Sequence, residues 1–269
     1  MDKPKLAHVR VLLAALALSA PPPADAPLPK EPAEVARSLA RTTTELHAAI
    51  GAWQAGPRAG GATPREASLW ALDQQRLFLK LTYDRPLGNR ARPLLSPQAR
   101  AILDARRRLV ELTPPTTLPL SAFRTGPALP ARTLLGFYRE AERRFGVEWE
   151  VLAAVNFVET GFNRLRSRSS AGAQGPMQFM PPTWRAYGLG GDVNDPRDAI
   201  MGAANYLRAS GAGRHLRGAL WHYNHSVRYV DAVAAFAGQI RRDETIFFQF
   251  HAWQVFVKTP AGPRRITNP

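Results

Sequence analysis

From residue 33 onward, apolar side chains recur at intervals of three and four, the spacing that gathers them on one face of an α-helix. Val35, Leu39, Leu46, Ile50 and Trp53 predict a helix over residues 33–55, and Gly56, Pro57, Gly60, Gly61 and Pro64 break the pattern after it. Leu69, Leu72, Leu77 and Leu81 predict a second helix over 66–82. A third opens at Ser96-Pro97, an N-cap residue followed by proline at the first helical position, and continues through Ile102, Leu103, Leu109 and Val110. The segment from Thr113-Pro114-Pro115 to Pro130 is proline-rich and aperiodic, and the main domain boundary is expected there.

Past residue 131 the spacing sharpens. Leu134, Leu135, Tyr138 and Phe145 mark a helix that Gly146 ends; Trp149, Leu152, Val155 and Val158 mark the next, which Gly161 closes. Asp195-Pro196 opens a helix through Ile200, Ala203, Ala204 and Leu207, and Leu216–Tyr223 and Tyr229–Ile240 supply two more. The stretch Ile246–Val257, rich in Phe, Val and Trp, reads as paired strands or a hairpin with Arg264–Ile266 across the turn Pro260-Ala261-Gly262. The expectation is a mainly α protein with an N-terminal helical region over 27–130, a second helical domain over 131–245, and C-terminal strands or a tail over 246–269.

The chain has 269 residues, 45% of them hydrophobic, enough to fill a sizeable core. Its formal charge of +15 is spread along the sequence, with a local cluster at Arg106, Arg107 and Arg108. Such a charge suits polyanionic surroundings, nucleic acid, anionic lipid or cell-wall polymers, without choosing among them. The absence of cysteine excludes disulfides, thiolate metal sites and cysteine nucleophiles together. At the start, Lys3, Lys5 and Arg10 precede the apolar run Val11–Ala20, which is of signal-peptide length and too short to span a bilayer. Residues 1–26 are therefore expected to be a signal peptide, with cleavage patterns at Ala24-Asp25-Ala26 and at Leu18-Ser19-Ala20. Export argues against nucleic acid as partner, as does the lack of any recognised nucleic-acid motif with interleaved basic and aromatic residues.

The chemistry concentrates at Glu159. It falls in the last turn of its helix, where the negative end of the helix dipole and apolar neighbours Val155, Phe157 and Phe162 both disfavour the carboxylate. A glutamic acid still protonated near neutral pH is what general acid catalysis needs. After it come Thr160-Gly161-Phe162, then Ser169-Ser170-Ala171-Gly172-Ala173-Gln174-Gly175-Pro176-Met177-Gln178-Phe179-Met180-Pro181-Pro182-Thr183, and later His222-Tyr223-Asn224-His225-Ser226. In order and spacing these segments resemble the lytic transglycosylases with a goose-type-lysozyme-like fold. Thr160, Pro176 and Ser226 replace that family's usual serine, leucine and glycine, and none of the three changes removes a group needed for acid catalysis.

The resemblance, over residues 131–245, implies a lysozyme-like domain that cleaves the β-1,4 bond between N-acetylmuramic acid and N-acetylglucosamine in peptidoglycan. It implies Glu159 as catalytic acid and Ser169, Gln178, Met177, Phe179, Tyr223 and Asn224 around the glycan. Tyr223 would hydrogen-bond near the acid, Met177 and Phe179 would line or support the cleft, and Ser169 and Gln178 would either face sugar or stabilise their loop. No cofactor is implied, the partners are glycan strands with anionic wall polymers, and the location is the cell wall, periplasm or exterior, with no membrane span after signal cleavage.

Most glycosidases use two carboxylates. Here the nearest acids in sequence are Glu148 and Glu150, one helix earlier, and Asp192, Asp195 and Asp198 beyond the loop. A transglycosylase dispenses with the second acid, since the sugar's own C6 hydroxyl closes a 1,6-anhydro ring. A hydrolytic muramidase with one of those aspartates as base, or a wall-binding module without activity, is the alternative. Gly191–Asp198 fails the calcium-loop template because Pro196 occupies a ligand position, and capping by Asp195 accounts for it. His222 and His225 lack a third ligand for zinc, so no metal site is expected. Trp184, Tyr187, Trp221, Tyr223 and Tyr229 are available to stack on sugar rings or to pack the core.

Overall fold

The computed structural model describes residues 19–57 and 59–266, so the apolar run of the expected signal peptide lies almost wholly outside the described residues. Among the described residues, eleven α-helices and one two-stranded hairpin follow in order: α1 (Pro32–Ala55), α2 (Arg65–Tyr83), α3 (Arg85–Ala91), α4 (Pro97–Leu112), α5 (Ala131–Phe145), α6 (Trp149–Thr160), α7 (Pro181–Tyr187), α8 (Pro196–Ala209), α9 (Leu216–Tyr223), α10 (Val227–Arg242), α11 (Thr245–Ala252), β1 (Phe256–Thr259) and β2 (Gly262–Arg265). The strands run antiparallel with Phe256 opposite Arg265 and Thr259 opposite Gly262.

The expected caps form. Ser96 Oγ accepts from Ala99 N–H at 3.2 Å, and Asp195 Oδ1 accepts from Asp198 N–H at 2.9 Å, each ahead of a proline at the start of its helix. Two short helices escape the periodicity: α3, capped by Asp84 on Leu87 N–H, and α7, which starts on Pro181 and Pro182. One expectation is corrected. Residues 246–252, assigned to paired strands, are helical, and the hairpin is confined to 256–265. Asp243 Oδ1 accepts from Thr245 N–H at the start of the helix, and Ile246, Phe247 and Phe250 are all buried, so a run buried on every side forms a core helix whatever its β-propensity.

Helix α6 is the centre of the molecule. It is hydrophobic around most of its circumference, and its residues Val151–Asn156 are buried beneath α5, α8, α10 and α11. A continuous buried cluster runs from Val35 in α1 through α6 to Trp253, so α1, α2 and α4 share a core with the helices that follow the proline-rich segment. That segment is itself tied down. Thr116 N–H donates to Lys258 C=O, Gly126 N–H to Arg164 C=O, and Arg166 N–H to Arg124 C=O, which satisfies backbone groups that no helix supplies.

Candidate active site

Helix α6 ends because Gly161 takes the left-handed conformation at φ +58°, its N–H closing on Phe157 C=O. Phe162 and Asn163 continue left-handed at φ +63° and +64°. A buried phenylalanine in that region is strained, and it is held there by aromatic packing: Phe162 lies against Phe157 and Phe247 and is fully buried. The sharp reversal leaves Glu159 at the helix end facing a cavity of about 400 Å³.

That cavity is walled by Tyr83 of α2, Arg106 and Val110 of α4, Phe157 of α6 and Val255–Lys258 ahead of and within β1; Glu159 is the one carboxylate among the described residues that line it. Burial pushes the Glu159 carboxyl up to about 7, against the opposing pull of a hydroxyl. The hydroxyl belongs to Tyr229, in the first turn of α10, whose Oη donates to Glu159 Oε1 at 2.6 Å. The same burial, followed by the charge of Glu159, raises the phenols of Tyr229 and Tyr223 well above their ordinary value, so both stay protonated donors.

Tyr223 lies close to the acid without bonding to it. Its hydroxyl donates to Met177 C=O at 2.8 Å, and its ring lies parallel to that of Tyr229, at an interplanar angle of 4° and a centroid separation of 6.5 Å. The partner of the acid is therefore Tyr229, one of the five aromatics whose role the sequence leaves open, brought in from 70 residues away. Tyr223 holds the neighbouring loop.

In that loop, Gln174 and Phe179 pair across a tight turn. Gln178 adopts φ +49°, and its Nε2 donates to Gly175 C=O. Met177 and Phe179 are buried, Phe179 against Trp184 at 5.1 Å, so both support the loop from within. Ser169 and Asn224 are exposed, and Ser169 Oγ accepts from Ala173 N–H. A buried network fixes the loop to α6. Tyr138 Oη donates to Asn156 Oδ1 at 2.6 Å, while Asn156 Nδ2 and Thr160 Oγ1 both donate to Pro176 C=O, at 2.8 and 2.7 Å. Thr160 and Pro176, two of the three departures from the resembled pattern, thus bond to each other.

The aspartates beyond the loop are committed elsewhere. Asp195 caps α8, Asp198 Oδ2 accepts from Asp192 N–H, and Asp192 Oδ1 accepts from Asn194. None of the three lines the Glu159 cavity. Among the described residues no group of three or more His, Asp or Glu side chains is placed to hold a metal, and no helix is long and apolar enough to cross a membrane.

Residues 137–235 match the family model described as Transglycosylase SLT domain. Over 70 residues the chain is 34% identical to the membrane-bound lytic murein transglycosylase F of Thiobacillus denitrificans (strain ATCC 25259 / T1), a match covering 26% of this chain and 14% of the relative's length. No solved structure matches the chain.

Proposed function

Residues 137–235 are a transglycosylase SLT domain of the lytic transglycosylase family, and from that premise we propose that the chain cleaves peptidoglycan between N-acetylmuramic acid and N-acetylglucosamine without water. The protonated Glu159 gives its proton to the glycosidic oxygen as the bond from that oxygen to muramyl C1 breaks. Positive charge develops at C1 and is delocalised within the sugar. The C6 hydroxyl of the same muramyl residue then attacks C1, and the Glu159 carboxylate takes its proton. A 1,6-anhydro ring closes, and Glu159 returns to its starting form.

The observation that carries this reading is the lone Glu159 in its cavity, raised to about 7 and held by the Tyr229 hydroxyl. One acid with a proton affinity near neutrality suits a residue that must first give a proton and then recover one. Ser169, Gln178, Met177, Phe179, Tyr223 and Asn224 are not among the residues that line the Glu159 cavity, and the glycan strand is proposed to run along their loop beside it. Residues 1–26 support export to the wall, and the charge of +15 supports retention on anionic wall polymers.

Digestion of purified peptidoglycan followed by mass analysis of the fragments tests the proposal. Anhydro ends are lighter than reducing ends by one water; fragments bearing only reducing ends would replace this reading with a hydrolytic one. Glu159→Gln should lower the cleavage rate about 100- to 10,000-fold, the usual contribution of a positioned general acid, with folding unaffected by circular dichroism. Undiminished cleavage would remove Glu159 from the mechanism.

A further inference from the structure

The cavity of Glu159 has a charged wall that the proton transfers above do not use. Arg106 sits in the apolar stripe of α4, three or four residues from Ile102, Leu103, Leu109 and Val110, where helical spacing calls for a hydrophobic side chain. The polar group there is solvated by little protein. The guanidinium carbon lies 4.9 Å from the centroid of the Trp253 ring, while Nε is buried with no hydrogen-bond partner.

Its neighbours show how an arginine behaves here when its role is to hold the fold. Arg107 donates to Asn89 Oδ1 and Leu81 C=O, Arg108 pairs with Asp231, and the half-buried Arg164 donates to the carbonyls of Gly161 and His251. Arg106 forms none of the ion pairs found among the described residues. Lys258, the other cation lining the cavity, is committed through Nζ to the carbonyls of Val110 and Thr113. A half-buried cation with no ion-pair partner, its Nε shut off from water, is costly to hold, and such a site commonly receives an anion. Burial lowers the Arg106 guanidinium to about 10, which still leaves it charged at neutral pH. Tyr83 of α2 lines the same wall, and its phenol feels the positive charge of Arg106.

We infer that Arg106, assisted by the Tyr83 hydroxyl, forms a carboxylate-binding subsite in the Glu159 cavity that receives an acidic group of the muramyl unit. The planar guanidinium fork matches a carboxylate, and the Trp253 ring beneath it fixes its plane. The glycan backbone is otherwise neutral. In stripped glycan the acid is the free lactyl carboxylate; in peptide-bearing glycan that carboxyl is an amide, and the acids are those of the stem peptide. The inference rests on the transglycosylase reading, and it assigns a substrate contact to the helices outside the matched domain.

Binding in an inactive background separates the two. Glu159→Gln is titrated calorimetrically with a neutral N-acetylglucosamine oligomer, with glycan stripped of peptide by an amidase, and with peptide-bearing glycan. Adding Arg106→Gln should weaken binding of an acidic ligand about tenfold, the scale of one charge-assisted contact, and leave the neutral oligomer unchanged. Arg106→Lys should restore part of the loss, and Arg106→Met, which keeps the stem over Trp253, should reproduce it with a normal melting temperature. Loss on stripped glycan assigns the lactyl carboxylate, and loss on peptide-bearing glycan alone assigns the stem peptide. Equal losses on neutral and acidic ligands, or none on either, would overturn the subsite while leaving the catalytic reading standing. A Glu159→Gln parent that binds none of the three glycans would sink both.

Discussion

At Glu159 two opposed effects set the proton affinity. Burial raises it to about 7, and the Tyr229 hydroxyl, bonded to the charged form, draws it down. In the proposed mechanism the protonated acid is the competent form, so cleavage should decline as pH rises through about 7. Tyr229→Phe removes the stabilisation of the carboxylate, so Glu159 should hold its proton longer and the alkaline limb should move upward, by about one pH unit for a hydrogen bond worth ~1.4 kcal/mol. The pH profile of kcat/KM for the two proteins measures this, and coincident limbs would contradict it. The place of Glu159 at a helix end was legible in the sequence, since a carboxylate just ahead of a helix-ending glycine is a local signal. Tyr229 was not, because nothing in a sequence pairs residues 70 apart; the choice between Tyr223 and Tyr229 belongs to the packing of α9 and α10.

Among the elements, the turn from Gln174 to Phe179 is tightly specified. Gly175 takes φ +75°, and a Cβ there would meet the Val193 carbonyl oxygen at 1.9 Å and its carbon at 2.9 Å. Both are backbone atoms that no rotamer change can clear. Gly175→Ala should therefore destabilise the protein by about 2–4 kcal/mol, adding positive-φ strain to overpacking. It should also displace the Pro176 carbonyl that Asn156 and Thr160 hold. Thermal melting and wall cleavage followed together check this, and a variant equal to the parent in both would show that the turn has slack. Helices with sustained apolar spacing and a marked boundary, α5, α6, α8 and α10, could be read from spacing alone. Helices α3 and α7 are seven residues each, too short for periodicity to register. Helix α11 misled because its aromatics carry strand propensity, which burial on all sides overrides.

Across the whole molecule, α1, α2 and α4 share one core with the helices that carry Glu159, a continuity the proline-rich sequence between them conceals. His251 fastens that junction. Its Nε2 bonds to Leu129 C=O at 2.9 Å, so that nitrogen carries the proton, leaving Nδ1 to accept from Thr63 Oγ1. Burial, then the charge of Arg164, lowers its pKa from 6.5 to about 3. Between those values the unfolded chain binds the extra proton, so this contribution is complete above pH 6.5 and is lost as pH falls toward 3. Glu159 works in the opposite sense: its folded value of about 7 exceeds the ordinary 4.5, so its contribution is complete below 4.5 and is lost as pH rises to 7. In the shared window each acts with a slope of up to ~1.4 kcal/mol per pH unit, and the two oppose. The native protein should accordingly show a shallow dependence of melting temperature between pH 4.5 and 6.5 and a steep fall below it. Glu111 and Glu140, lowered by their arginine partners, add to that fall. Glu159→Gln should extend the steep region up to pH 6.5, and His251→Gln should reverse the slope within the window, so that acidification stabilises. If melting curves of the two variants kept the parent's pH dependence, neither burial would be coupled to folding, and the junction at Leu129 would have to be held by apolar packing alone.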